Sequence, residues 1–168
     1  EISRDDNHKV SAQRRCVPFA TVVGPISTMN KLYDQAYFDH WYRDSDRHEE
    51  IQQRLEHKVA LALAMAEYHL GYLPETVLDV GCGEGPWRHE LLKLAPEIEY
   101  MGLDSSEYVV ERYGQERNIH CVSFEQLADL QLEQKVDLLI CSDVMHYVAE
   151  QELLNGLAGF SQLCDGLA

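Results

Sequence analysis

Thr76-Val77-Leu78-Asp79-Val80-Gly81-Cys82-Gly83-Glu84-Gly85-Pro86 is the stretch that decides the fold. Its first five residues, β-branched or apolar around one acid, read as a short buried strand. Gly81 to Gly85 form a turn, and Pro86 suits the first position of a helix, where a missing N–H costs nothing. That helix runs through Leu91, Leu92 and Leu94 to a stop at Pro96. The alternation then repeats. Residues 98–103 read as a second strand ending at Asp104. Ser105 or Ser106 caps a helix carrying Val109, Val110 and Tyr113 and ending at Gly114. Residues 119–122 and 136–141 are the third and fourth strands, 148–163 a helix, and 165–168 the entry to a fifth strand. Strands that are apolar throughout and alternate with helices imply a parallel sheet covered on both faces. Right-handed crossovers then give a doubly wound, mostly parallel α/β domain.

Upstream, Asp46-Arg47-His48-Glu49 has the form of a helix start, with Asp46 as N-cap. Ile51, Leu55, Val59, Ala62 or Leu63, Ala66 and Leu70 follow at helical spacing, and Gly71 supplies the stop. Before this helix lies a segment dense in rings: Tyr33, Tyr37, Phe38, His40, Trp41 and Tyr42. It reads either as a helix packing rings onto the domain or as a lid over a small-molecule pocket. Residues 1–28 read as an irregular leader, with Met29 as an alternative natural start. The expected organisation is therefore leader 1–28, helical lid and long amphipathic helix 29–71, and an α/β core 72–168.

The 168 residues carry 14 Lys+Arg against 29 Asp+Glu, a net charge of −15. Such a field repels phosphate backbones and anionic lipid, so nucleic acid and membrane surfaces are poor partners. No apolar run reaches the ~18 residues a spanning helix needs. Five widely spaced cysteines with no C-x-x-C pair fit reduced thiols in a cytoplasmic protein. His40, Asp44, Asp46 and His48 match no compact metal set, and no metal site is expected.

In a doubly wound sheet the ligand lies beyond the carboxyl ends of the strands, where the winding reverses. The turn at Gly81, Cys82 and Gly83 falls there. Its glycines let main chain approach a ligand closely, and its N–H groups with the next helix N-terminus favour a carboxylate or phosphate. Asp104, 19 residues past Gly85, can accept the two hydroxyls of a ribose. Pro86 stands where a dinucleotide fingerprint needs its third glycine, and Asp79 inside the strand suits a ligand with a positive charge nearby.

Val77-Leu78-Asp79-Val80-Gly81-Cys82-Gly83-Glu84-Gly85 resembles the first motif of the class I S-adenosylmethionine-dependent methyltransferases. Gly102-Leu103-Asp104-Ser105-Ser106 resembles their second motif. The run from Val136 to Val148 resembles their fourth strand and following loop, where small-molecule methyltransferases commonly carry a hydrophobic-His pattern. The resemblance covers about residues 46–168.

It implies a Rossmann-like methyltransferase fold, S-adenosyl-L-methionine as cofactor and a small-molecule methyl acceptor. Gly81 and Gly83, with Cys82 between them, would face the methionine part, with Asp79 near its ammonium. Asp104 would hold the ribose, with Ser105 beside the adenine edge. Ser123 falls where the family often places an Asp for the adenine amino group, and Phe124 beside it would wall the base. Cys141 and Ser142 would line the floor under the sulfonium. His146 would face the acceptor, and His146 or Tyr147 would take a proton if the acceptor carries one; the alternative for His146 is a helix-start residue moving no proton. Tyr37 and Trp41, four apart on one helical face, would form the lid.

The family generally has seven strands, and this chain stops at the threshold of the fifth. It is therefore expected to be part of a longer protein, or to have a partner covering an exposed apolar edge at the fourth strand. A cofactor-binding module without turnover, acting with a protein partner, is the second expectation. A nicotinamide oxidoreductase is the more distant third.

Overall fold

The computed structural model describes residues 33–42 and 48–168. The leader 1–28 and the Asp46 cap lie outside the described residues. The elements are α1 (Gln35–Tyr42), α2 (His48–Leu70), β1 (Thr76–Val80), α3 (Pro86–Leu94), β2 (Glu99–Asp104), α4 (Glu107–Arg117), β3 (Ile119–Cys121), β4 (Val136–Ile140), α5 (Glu150–Leu163) and β5 (Cys164–Leu167). The five strands form one sheet in the order β3-β2-β1-β4-β5, all parallel. Winding runs from β1 outward to β3, then returns to the other side of β1. The reversal between β1 and β4 creates the crevice expected from the sequence.

Alternate residues of each strand feed opposite layers. Val77, Tyr100, Leu138 and Ile140 pack under α2 and α3 through Val59, Leu63, Ala66 and Leu91. Leu78, Val80, Leu103 and Leu139 face Leu127, Leu130 and Leu163 on the other side. Each such side chain contributes about 1.5–3 kcal/mol by leaving water. α2 ends where expected: Gly71 has φ +78° and its N–H donates to the Glu67 carbonyl at 2.8 Å. Asp137 fixes the approach to β1, accepting from the N–H groups of Glu75 (2.8 Å) and Thr76 (3.1 Å) and from the Tyr72 hydroxyl (3.0 Å).

Two expectations need correction. Gly114 does not end α4, which continues to Arg117 and closes on Asn118 at φ +55°. Gly114 is there because a Cβ would lie 2.9 Å from the Ile119 carbonyl oxygen, where the chain returns into β3. Nor does β4 expose an edge. β5 begins directly at the end of α5 and pairs with it, Val136 to Cys164 and Leu138 to Leu167. Gly166 makes that possible, since a side chain there would run into the Asp137 carbonyl.

Candidate active site

A cleft of about 700 Å³ opens beyond the carboxyl ends of β1, β2 and β4. Its floor is the turn after β1, whose glycines all adopt left-handed backbone: φ is +70° at Gly81, +54° at Gly83 and +82° at Gly85. Residues with a Cβ resist that conformation. Gly81 also lacks room, because a side chain there would strike Val144, from the loop after β4.

The turn N–H groups are occupied within the fold. Gly81 and Cys82 donate to the Leu103 carbonyl at 2.7 and 3.1 Å, and Gly85 donates to the Cys82 carbonyl at 3.0 Å. Gly83 donates to Asp104 Oδ2 at 2.8 Å. The anion cradle expected from the glycines is therefore absent at these four positions. Register explains it: β1 and β2 run side by side, so the turn leaving β1 closes onto the end of β2.

Asp104 ends β2 with both oxygens anchored, Oδ2 by Gly83 and Oδ1 by the Ser106 N–H at 2.8 Å. Burial raises its pKa, offset by backbone hydrogen bonds from Ser106, Gly83 and Ser105. Three N–H donors do not exhaust the roughly four lone-pair sites of a carboxylate, so acceptor capacity is left for a hydroxyl donor. Asp79 lies deeper, 2% exposed, and accepts from the Tyr100 hydroxyl at 2.8 Å. Burial pushes its carboxyl up to about 7, against the Tyr100 hydrogen bond, with Asp104 adding to the rise. A buried acid of this kind is satisfied by a cation brought to it.

The ring-dense segment before α2 is docked on the domain. The Ser106 hydroxyl donates to the Tyr33 carbonyl at 2.6 Å while capping α4. Phe38 is buried with Cys82, Val109 and Ile119 and stacks on Tyr108 with centroids 5.8 Å apart. Tyr37 meets Tyr33 edge to face at 5.2 Å, and its hydroxyl is hydrogen-bonded to Tyr147. Trp41 belongs to α1 by its backbone, but its side chain lies outside the described residues.

Of the residues singled out from the sequence, Asp79, Gly81, Cys82, Gly83, Asp104 and Ser105 all line this cleft. So do Phe124, Ser142, His146, Tyr147 and Tyr37. Two do not. Cys141 packs with the cluster between the sheet and α5, because its position in the strand pleat turns it to that face. Ser123 starts the 3-10 turn Phe124–Ala128, and its N–H is engaged by Gln126 Oε1 at 2.8 Å. Phe124 reaches the cleft because Gly156 of α5 leaves space for its ring.

The sequence reading missed the wall made by α2. Lys58 lines the cleft and pairs with Asp143 at 2.6 Å; Arg54 and Gln52 line it too. Asp143 sits at φ +60°, and its carboxylate also accepts from the Ser142 hydroxyl at 3.0 Å. Burial of the opposite face absorbed the helical periodicity, so nothing in that pattern marked the polar side. Among the described residues no group of three or more His, Cys, Asp or Glu could hold a metal ion. Cys82, Cys121, Cys141 and Cys164 are free thiols. No helix among those residues is long and apolar enough to cross a membrane.

A five-stranded parallel sheet with its crevice at the turn after the first strand defines a Rossmann-like α/β domain. A family model described as a methyltransferase domain matches residues 78–165, from within β1 to β5, and the chain belongs to that family. Malonyl-[acyl-carrier protein] O-methyltransferase of Bacillus cereus is 25% identical over 132 residues, 77% of this chain and 48% of that protein. Magnesium protoporphyrin IX methyltransferase from Synechocystis PCC 6803, solved with bound SAH, is similar in fold at 23% identity and a TM-score of 0.58. That match covers 79% of this chain and 65% of the other. A sugar N-methyltransferase from Streptoalloteichus sp ATCC 53650 has 18% identity and a TM-score of 0.56, covering 88% and 58%. The chain spans about half the length of the curated relative it matches.

Proposed function

We propose that residues 72–168 form the cofactor-binding core of an S-adenosylmethionine-dependent methyltransferase acting on a small-molecule acceptor. The observation that carries this reading is the pair of acids in one cleft, Asp104 anchored at its rim and Asp79 buried beneath the turn. Asp104 has acceptor capacity left for a ribose hydroxyl, and Asp79 is the buried acid an ammonium group would satisfy. The turn N–H groups engaged inside the fold speak against a pyrophosphate, and so against a dinucleotide. The family membership, and the SAH bound in the Synechocystis neighbour, support the same cofactor.

When bound, the cofactor supplies a methyl group already activated on a sulfonium leaving group. The residues then have to align the acceptor and exclude water, and such orientation can supply roughly 7–11 kcal/mol of the barrier. Tyr33, Tyr37 and Tyr147 close one side of the cleft, while Trp87 and Leu55 wall another. His146 and Tyr147, on the turn after β4 and lining the cleft, are the groups that would take a proton from an acceptor that carries one. The free thiols fit a reducing, cytoplasmic setting.

Titration calorimetry with S-adenosylhomocysteine and with NAD tests the reading: the first is expected to bind and the second not. NAD binding alone would overturn it. Binding without methyl release from labelled cofactor, in the protein at its full natural length, would favour a non-catalytic module working with a protein partner.

The lid makes a further prediction. Tyr37→Ala is expected to weaken S-adenosylmethionine about three- to tenfold more than S-adenosylhomocysteine, because an aromatic face attracts a cation by ~0.5–2 kcal/mol and only the first ligand carries the sulfonium. Trp41→Ala tests the other proposed lid ring in the same way. Equal loss for both ligands would leave each ring a packing role only.

A further inference from the structure

Tyr100 lies inside the stretch 98–103 that the sequence marks as the second strand. In the structure it is 6% exposed on the face of the sheet it shares with Asp79. Asp79 lies opposite Gly102 across the β1–β2 pair, and Tyr100 opposite Val77. The phenol therefore has to reach along its own strand, past position 102, to meet the acid. Glycine at 102 leaves the room for that. A Cβ there would lie 3.1 Å from the Tyr100 hydroxyl and 2.7 Å from Cys82 Sγ. The hydroxyl arrives 2.8 Å from Asp79 Oδ2, and among the described residues this is the hydrogen bond that carboxyl receives.

We propose that Tyr100 is a positioning residue of the cofactor site, its hydroxyl holding the Asp79 carboxylate charged and fixed for a cationic group of the ligand. This rests on the reading of the cleft given above. A hydrogen bond donated to the ionised form favours that form, and burial opposes it. The groups facing Asp79 are Tyr100 and Asp104 from β2 and Cys82 from the turn, while Cys141, on the other face of the sheet, only feels its charge. Lys58, Asp143 and His146 line the same cleft. Asp104 repels the charge, so among the close neighbours Tyr100 is the group that favours it. Burial and Asp79 itself raise the Tyr100 phenol far above its ordinary value, so it remains a donor at any working pH.

The consequence is a ligand affinity that rises with pH. With the Asp79 carboxyl near 7, the folded, ligand-free protein holds a proton that the unfolded chain releases near 4. Its stability therefore falls between about pH 4 and pH 7, while the affinity for an ammonium group rises through the same upper value.

The test compares wild type, Tyr100→Phe, Asp79→Asn and the double variant. Carboxyl ¹³C NMR follows the Asp79 titration without ligand, and calorimetry gives S-adenosylhomocysteine affinity at pH 6 and pH 8. Tyr100→Phe is expected to raise the Asp79 midpoint by about one pH unit. Affinity should fall about tenfold at pH 6 but only about twofold at pH 8, and Tyr100→Phe should add nothing in the Asp79→Asn background. An unmoved midpoint, or an equal loss at both pH values, overturns the proposal. Absence of binding by wild type at both pH values would instead overturn the cofactor reading, and the ligand-free midpoint would then decide the role of Tyr100.

Discussion

Asp104→Asn will lower the affinity for S-adenosylhomocysteine by about ten- to a hundredfold, because a hydrogen bond to a charged group contributes about 1.5–3 kcal/mol and a factor of ten is 1.4 kcal/mol. Two effects act together. The amide nitrogen cannot accept, so the ribose side loses an acceptor. Within the fold, either Gly83 or Ser106 is left with its N–H facing another donor, where the carboxylate had accepted from both at 2.8 Å. Calorimetry measures the first loss and a melting curve without ligand the second. Retained affinity in a variant of normal stability would remove Asp104 from the binding site.

Gly159→Ala will destabilise the protein, although helix propensity alone predicts the opposite. In an exposed helix that change stabilises by about 1 kcal/mol. Gly159 lies buried in α5 where the helix rests on the 3-10 turn Phe124–Ala128. A Cβ would run into the Leu127 carbonyl group and come within 2.8 Å of the Ala128 nitrogen. Those are backbone atoms, which cannot rotate away as a side-chain end can. Overpacking of a core costs ~1–3 kcal/mol and sometimes more, so the clash outweighs the propensity gain. The expected net loss is about 1–2 kcal/mol, and at this chain length each kcal/mol lowers the melting temperature by roughly 2–4 °C. Asn155→Ala, on the exposed side of the same helix, is the control and should leave it unchanged or slightly raised. A rise for Gly159→Ala would mean that α5 does not pack as described.

The glycines show how far the sequence could be read. Gly71 and Gly85 were legible because their cause is local: a helix stop and a turn each need left-handed backbone at a position fixed by neighbours in the chain. Gly102, Gly156, Gly159 and Gly166 were not, because what fills the space of their missing side chains is distant in sequence. Gly81 belongs to both groups. Its φ of +70° follows from the turn, while its contact with Val144 follows from where β4 ends beside β1.

The alternation of apolar strands with capped helices, the turn at 81–85 and the acid at 104 were enough to determine a parallel, doubly wound sheet and the end of it that binds a ligand. Each of those signals is a preference of a short segment, and it persists whatever the segment packs against. Tertiary structure alone decided that the turn N–H groups point inward, that Lys58 of α2 clasps Asp143, and that Cys141 and Ser123 turn away from the cleft. It also decided that Tyr100 meets Asp79. Strand register and helix docking set those distances, and a hydrogen bond exists only within a few tenths of an ångström of its proper length.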